Sequence, residues 1–154
     1  MKDRPEISYT FVDTPAPLET LSARLKQTNR VALDIEGNSL HRYFEKVCLI
    51  QLTFDGENYI LDPLAGLDLS RFLRVLSATP LILHDADYDL RMLHSSLGFR
   101  PRREVFDTML AGQILGCTQY SLVALARDFL EVSLTKRGQK SDWTQRPLTK
   151  AQLR

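Results

Sequence analysis

No apolar run in this 154-residue chain approaches the roughly 20 residues that a membrane-spanning helix needs. The polar N-terminus, Met1 to Glu6, lacks the apolar stretch of a secretory leader. Both absences set the expectation of a cytoplasmic protein without membrane contact. Cysteine is scarce, with only Cys48 and Cys117, each inside an apolar segment. In that compartment they read as reduced packing residues rather than a disulfide. No internal repeat and no low-complexity tract is present, so one domain with a single core is expected. Apolar residues at 44% and charged residues at 25% are the values of an ordinary globular chain.

A large charge of either sign is also missing, the net value being +1. The distribution is less even. Residues 1–131 carry 14 Lys/Arg against 18 Asp/Glu, and residues 132–154 carry 6 against 1. A basic strip beside an acidic body can contact phosphate next to an acidic metal site, and it can equally be a solvated loop.

What is present is a pattern of short apolar runs and helical periods. Leu18, Leu21 and Leu25 predict a helix after Thr14-Pro15. Strands are expected at 31–35, 47–54, 58–61, 81–83 and 105–106, with Asp55-Gly56 as a hairpin turn. Leu69, Phe72, Leu73 and Leu76 mark a second helix; Leu90, Leu93 and Leu97 mark a third, stopped by Gly98. Residues 108–116 and 121–131 are expected to be helical, the latter turning Leu122, Leu125 and Phe129 inward. Segment 132–147 reads as a polar loop, and a helix begins at Leu148-Thr149 with Thr149 as its cap. A meander followed by alternating strands and helices predicts an α/β fold with a mixed sheet. The domain is expected to be 1–154, C-terminally incomplete, because the chain stops part-way into that helix.

Two acidic clusters carry the chemistry. Asp34 and Glu36 lie two apart on a strand, so both carboxylates point one way while Leu33 and Ile35 point into the core. Gly37 follows, which places the pair at the strand's end, where ligands of open α/β sheets gather. Adjacent carboxylates repel unless a cation separates them, and oxygen-only ligands suit a hard ion. An Asp-x-Glu pair alone is more often a solvated strand end. The second cluster, His84-Asp85-Ala86-Asp87-Tyr88-Asp89, opens a helix after a strand. Asp85 or Asp87 is expected to cap that helix. Asp89, next to the buried Leu90 and Leu93 face, can turn back toward Asp34 and Glu36. Asp107 is expected to cap a helix, His84 to be a strand-end residue, and Trp143 to be packed in a core.

The run Val31-Ala32-Leu33-Asp34-Ile35-Glu36-Gly37-Asn38-Ser39-Leu40 resembles the first motif of the DEDD exonuclease superfamily. His84 to Asp89, continuing through Leu90 and Leu93, resembles its second motif, and Phe106-Asp107-Thr108-Met109-Leu110-Ala111 the segment that follows. Ser141-Asp142-Trp143-Thr144-Gln145-Arg146-Pro147-Leu148-Thr149 resembles the stretch before the third motif in ribonuclease D and its Werner-type relatives. The match runs from about residue 8 to the end, in order, although many relatives have Asn where this chain has Asp85.

The resemblance implies a ribonuclease H-like fold with a five-stranded mixed sheet flanked by helices. It implies a metal-dependent 3′-to-5′ exonuclease that releases nucleoside 5′-monophosphates from single-stranded RNA 3′ ends, as in tRNA processing. Two divalent ions, Mg²⁺ or Mn²⁺, would be held by Asp34, Glu36, Asp89 and a fourth acid in a Tyr-x-x-x-Asp motif not contained in this sequence. This chain alone is therefore expected to fold but to be weak or inactive by itself. Leu40 would pack against the terminal base, and Lys136, Arg137, Lys140 and Arg146 would contact backbone phosphates. Two alternatives stay open: a proofreading or Werner-type DNA exonuclease, and a non-catalytic nucleic-acid-binding module with a degenerate exonuclease fold.

Overall fold

Side-chain alternation decides which face of each strand is buried. In β2 (Val31–Gly37), Val31, Leu33 and Ile35 enter the core, while Ala32, Asp34 and Glu36 face the other way. The next strand, β3 (Val47–Phe54), pairs antiparallel with β2 and contributes Ile50, Leu52 and Phe54 to the same core. A two-residue turn leads into β4 (Glu57–Leu61). Its residues, Asp55 at φ 50° and Gly56 at φ 76°, are both left-handed, the geometry that matches the twist of a hairpin. The computed structural model describes residues 7–38, 46–134 and 141–153.

Among the described residues six strands form one sheet, one more than the sequence led us to expect. The extra strand is β1 (Thr10–Val12), at the edge and parallel to β4. Three residues whose partners lie about fifty positions away leave no local period to read. On the other side, β5 (Leu81–Leu83) runs parallel to β2, and β6 (Val105–Asp107) parallel to β5. The order is β1-β4-β3-β2-β5-β6, a mixed sheet.

Helix α1 (Pro15–Leu25) supplies Leu18, Leu21 and Leu25 to the core, and α2 (Ser70–Ser77) supplies Phe72 and Leu76. Helix α3 (Ala86–Leu97) adds Met92 and Leu93 and stops at Gly98, whose φ of 67° is the left-handed cap expected there. One apolar cluster thus joins three helices to the sheet. No helix among the described residues is long and apolar enough to cross a membrane.

Two further helices follow, α4 (Thr108–Ile114) and α5 (Leu122–Leu130). Both form where expected, but α5 does not bury the face we assigned. Leu122 and Phe129 are 50% and 61% exposed. Together with Phe106, Ala111, Leu115 and Leu125 they line an apolar groove of about 280 Å³. Helical period is a local signal. It shows which side chains share a face, and only tertiary contacts decide whether that face is covered.

Beyond α5, Trp143 is buried in a second cluster with Cys48, Leu49, Ile60 and Leu148. Thr149 takes the capping place expected of it, but what it caps among the described residues is a turn rather than the expected helix. Its N–H and hydroxyl donate to Gln152 Oε1 at 2.9 and 2.8 Å, and the Gln152 N–H donates back to Thr149 Oγ1 at 3.3 Å.

Candidate active site

The end of β2 and the start of α3 are brought together by one small residue. A Cβ on Gly37 would lie 2.5 Å from Met92 Sδ. Only glycine lets Met92 fill that volume, so α3 settles directly over the strand end. Asp89 stands three residues before Met92, on the same helical face. It is drawn down with it and is only 8% exposed. Asp34 and Glu36 reach the same end of the sheet from β2. A β-bulge helps there, because Glu36 pairs with Leu49 while Gly37 pairs with Val47. The extra residue, Cys48, turns to the face that Leu49 occupies.

The start of α3 is capped by an unexpected acceptor. Asp85 sits at the cap position with a left-handed φ of 59°, but its side chain accepts no capping bond. Asp87 pairs instead with Arg91 along the helix surface. The capping carboxylate is Asp107, from the end of β6. Its Oδ1 accepts from Asp85 N–H at 3.1 Å and its Oδ2 from Ala86 N–H at 2.9 Å. Oδ1 also accepts from Met109 N–H at 2.8 Å and from Leu110 N–H at 3.4 Å. One side chain therefore caps α3 and α4 together. The expected role of Asp107 is present, while the expected caps Asp85 and Asp87 are replaced by it. The cap of α4 is local, whereas nothing at the start of α3 reveals that its acceptor lies at the end of β6.

The electrostatics of the three acids are mutually unfavourable. Burial first, then the charges of Asp34 and Asp89, push Glu36 up to about 7. Burial first, then Asp34 and Asp85, push Asp89 up to about 7. Asp34 is also raised. Its tip is open to solvent, but surrounding protein removes enough bulk water to outweigh the Ile35 backbone bond and the His84 charge. None of the three forms an ion pair with Lys or Arg among the described residues. Nor do three ligating groups already converge at metal distance there. The arrangement is an uncompensated carboxylate cluster rather than a closed cage. That suits a hard divalent cation, which keeps waters and takes one or two carboxylates together with substrate phosphate.

His84 takes the strand-end place expected of it. Its Nδ1 is 2.9 Å from Thr108 Oγ1, and that hydroxyl donates to the Leu83 carbonyl at 3.2 Å. With the hydroxyl proton spent, Nδ1 carries the ring proton and donates.

The expected phosphate contacts fare differently. Leu40, Lys136, Arg137 and Lys140 lie outside the described residues. Arg146 corrects our reading, because all five of its N–H donors are spent inside the protein. Nε and Nη2 donate to Asp62 at 2.6 and 2.7 Å. Nη1 donates to the carbonyls of Trp143 and Gln145 at 2.8 Å each, and Nη2 also to that of Cys48 at 3.0 Å. No donor is left for a phosphate. Asp62 escaped the sequence reading. The Asp62-Pro63 dipeptide signals a cap, and Asp62 does accept from Leu64 N–H, but nothing local announces a partner 84 residues away.

A mixed sheet in this order, flanked by helices and bearing carboxylates at the end of a central strand, is the ribonuclease H-like fold of the DEDD exonucleases. The chain belongs to the 3′-5′ exonuclease family, which it matches over residues 9–154. It is 33% identical to the exosome complex component 10 homolog of Caenorhabditis elegans, over 99% of this chain and 17% of that protein. It is 36% identical to the ribonuclease D of Haemophilus influenzae, over 92% of this chain and 36% of that protein. The solved structure of Escherichia coli RNase D, described as an exoribonuclease involved in structured RNA processing, superposes with a TM-score of 0.86 at 25% identity. That match covers 96% of this chain and 40% of the other. The chain thus spans less than half the length of these relatives. Divalent metal ions are general in the family.

Proposed function

We propose that this chain is the cation-binding core of a 3′-to-5′ exoribonuclease that shortens single-stranded RNA from its 3′ end and releases nucleoside 5′-monophosphates. The observation that carries the proposal is that Asp34, Glu36 and Asp89 lie at one end of the sheet, near enough for their charges to act on one another, with no Lys or Arg ion-paired to any of them among the described residues. A fold that gathers such charge without neutralising it is poised for a cation. The RNA assignment is supported by likeness to ribonuclease D over nearly the whole chain.

The chemistry that Mg²⁺ or Mn²⁺ supplies in such a site is activation of water and stabilisation of charge on the leaving 3′ oxygen. The protein's part is to hold the ligands. Asp34 and Glu36 share one strand and so have a fixed separation, and Asp89 approaches from the first turn of α3. All three must be ionised to bind, so affinity falls in acid. Met92 seated against Gly37, and Asp107 capping α3, keep Asp89 at its height above the strand end.

The test is digestion of 5′-labelled single-stranded RNA, with the same DNA sequence alongside, at protein in excess of substrate so that slow turnover is readable. We expect a ladder receding from the RNA 3′ end with Mn²⁺, absent with chelator and in Asp89→Asn. Equal or faster digestion of DNA would overturn the substrate assignment. No ladder with Mn²⁺ on either substrate would overturn the activity.

A further inference from the structure

Segment 141–153 crosses the sheet face that carries Asp34 and Glu36, and the described residues fasten it there through one apolar cluster and one guanidinium. Its apolar contacts are Trp143, 6% exposed, and Leu148, resting on Cys48, Leu49 and Ile60. The polar fastening is Arg146. Its guanidinium reaches Asp62, only 5% exposed, through a two-pronged ion pair and also takes the Cys48 carbonyl at the bulge. The remaining two donors bond carbonyls of the segment itself, Trp143 and Gln145, which fixes its course around the side chain.

The place where this fastening acts matters. Leu49, covered by Trp143, is the residue paired with Glu36 across the β2–β3 ladder. Paired residues of an antiparallel ladder lie on one face with adjacent side chains. Trp143 therefore presses on the neighbour of a site carboxylate, at the bulge that sets the local register.

We propose that Asp62 and Arg146 form a latch that positions the carboxylate site. By holding segment 141–153 on β3, the pair fixes the strand against which Glu36 of β2 is paired, so docking of the segment and cation binding by Asp34, Glu36 and Asp89 are coupled. The latch rests on the cation-site reading above. Asp62 and Arg146 are positioning residues, not ligands. Coupling is reciprocal, so a bound cation also favours the docked segment.

Trp143 is the sole tryptophan of the chain, so its emission reports docking directly. Removing Arg146 alone would strand a buried carboxylate and risk unfolding. The double variant Asp62→Asn/Arg146→Met removes both charges. Arg146→Lys keeps the charge and loses the fork. We expect red-shifted emission in both, with unchanged far-ultraviolet circular dichroism. Mn²⁺ affinity, read by electron paramagnetic resonance, falls about 10-fold in the double variant, as when groups supporting metal ligands are removed. Saturating Mg²⁺ returns the Arg146→Lys emission to the wild-type position.

A red shift with wild-type Mn²⁺ affinity would overturn the coupling and leave a purely structural fastening. Unshifted emission in both variants would overturn the latch. If the double variant does not fold, the Mg²⁺ response of Arg146→Lys decides alone, and no response overturns the coupling. Failure of the wild-type chain to bind Mn²⁺ at all would overturn the cation-site reading itself, a result distinct from a loss seen only in the variants.

Discussion

Met92 Sδ fills the volume that a side chain on Gly37 would need, 2.5 Å from the position of its Cβ. The fit joins the two elements that carry the acids. Gly37→Ala forces the buried thioether aside, and overpacking of this kind costs about 1–3 kcal/mol. The double variant Gly37→Ala/Met92→Ala should be more stable than the sum of the single costs, because the smaller partner leaves room for the methyl group. Urea unfolding of the four proteins measures this, and simple additivity would contradict the contact.

Asp107 gives a second prediction. A single lost cap costs about 0.5–2 kcal/mol, and Asp107 serves two helices, so Asp107→Ala should cost about twice a single cap. Burial raises its carboxyl, but four backbone N–H bonds outweigh burial and hold it below its ordinary 3.8. A lowered folded pKa gives stability that is present above the unfolded value and is lost as pH falls through the folded one. Asp107→Asn should therefore lie below wild type at pH 6 and close the gap toward pH 2. Thermal melts across that range check it, and a gap that stays constant would contradict the assignment.

The site acids titrate in the opposite sense. Glu36 and Asp89 are pushed up from 4.5 and 3.8 to about 7, so the folded chain keeps protons that the unfolded chain has released. Stability of the metal-free chain therefore falls as pH rises through that window and levels off above about 7. Asp89→Asn should flatten the slope and be more stable than wild type at pH 8 in chelator. Adding Mg²⁺ at pH 8 should reverse that order. Chemical denaturation at pH 5 and pH 8 reads all of this. A wild-type protein that gains over Asp89→Asn as pH rises in chelator would contradict the repulsion.

Burial separates two phenylalanines of similar sequence context. Phe72 is fully buried in the core, and Phe72→Ala should cost about 3–5 kcal/mol. Phe129, 61% exposed on α5, should cost well under 1 kcal/mol when changed to Ser. Equal costs in urea unfolding would contradict the open groove between β6, α4 and α5.

Legibility in the sequence follows the range of each interaction. Asp34 and Glu36 were readable because strand alternation is local, as was the turn at Asp55-Gly56, whose chemistry sits in two residues. The core strands and five helices followed from period alone. β1 was missed because its pairing with Tyr59 to Leu61 is non-local. Asp85 was misread as a capping side chain because its replacement, Asp107, comes from another strand. Arg146 looked like a free cation in a basic tail. Only the fold shows that Asp62, buried beside the β3 bulge, claims it.

The proposed function requires Asp34, Glu36 and Asp89 to act together as a divalent-cation site. Mn²⁺ titration of the purified chain at pH 8, followed by electron paramagnetic resonance, tests it without requiring turnover. We expect saturable binding that each of Asp34→Asn, Glu36→Gln and Asp89→Asn weakens strongly, while Asp87→Asn on the outer face of α3 leaves it unchanged. Binding that survives all three site substitutions, or that Asp87→Asn weakens equally, would contradict the account.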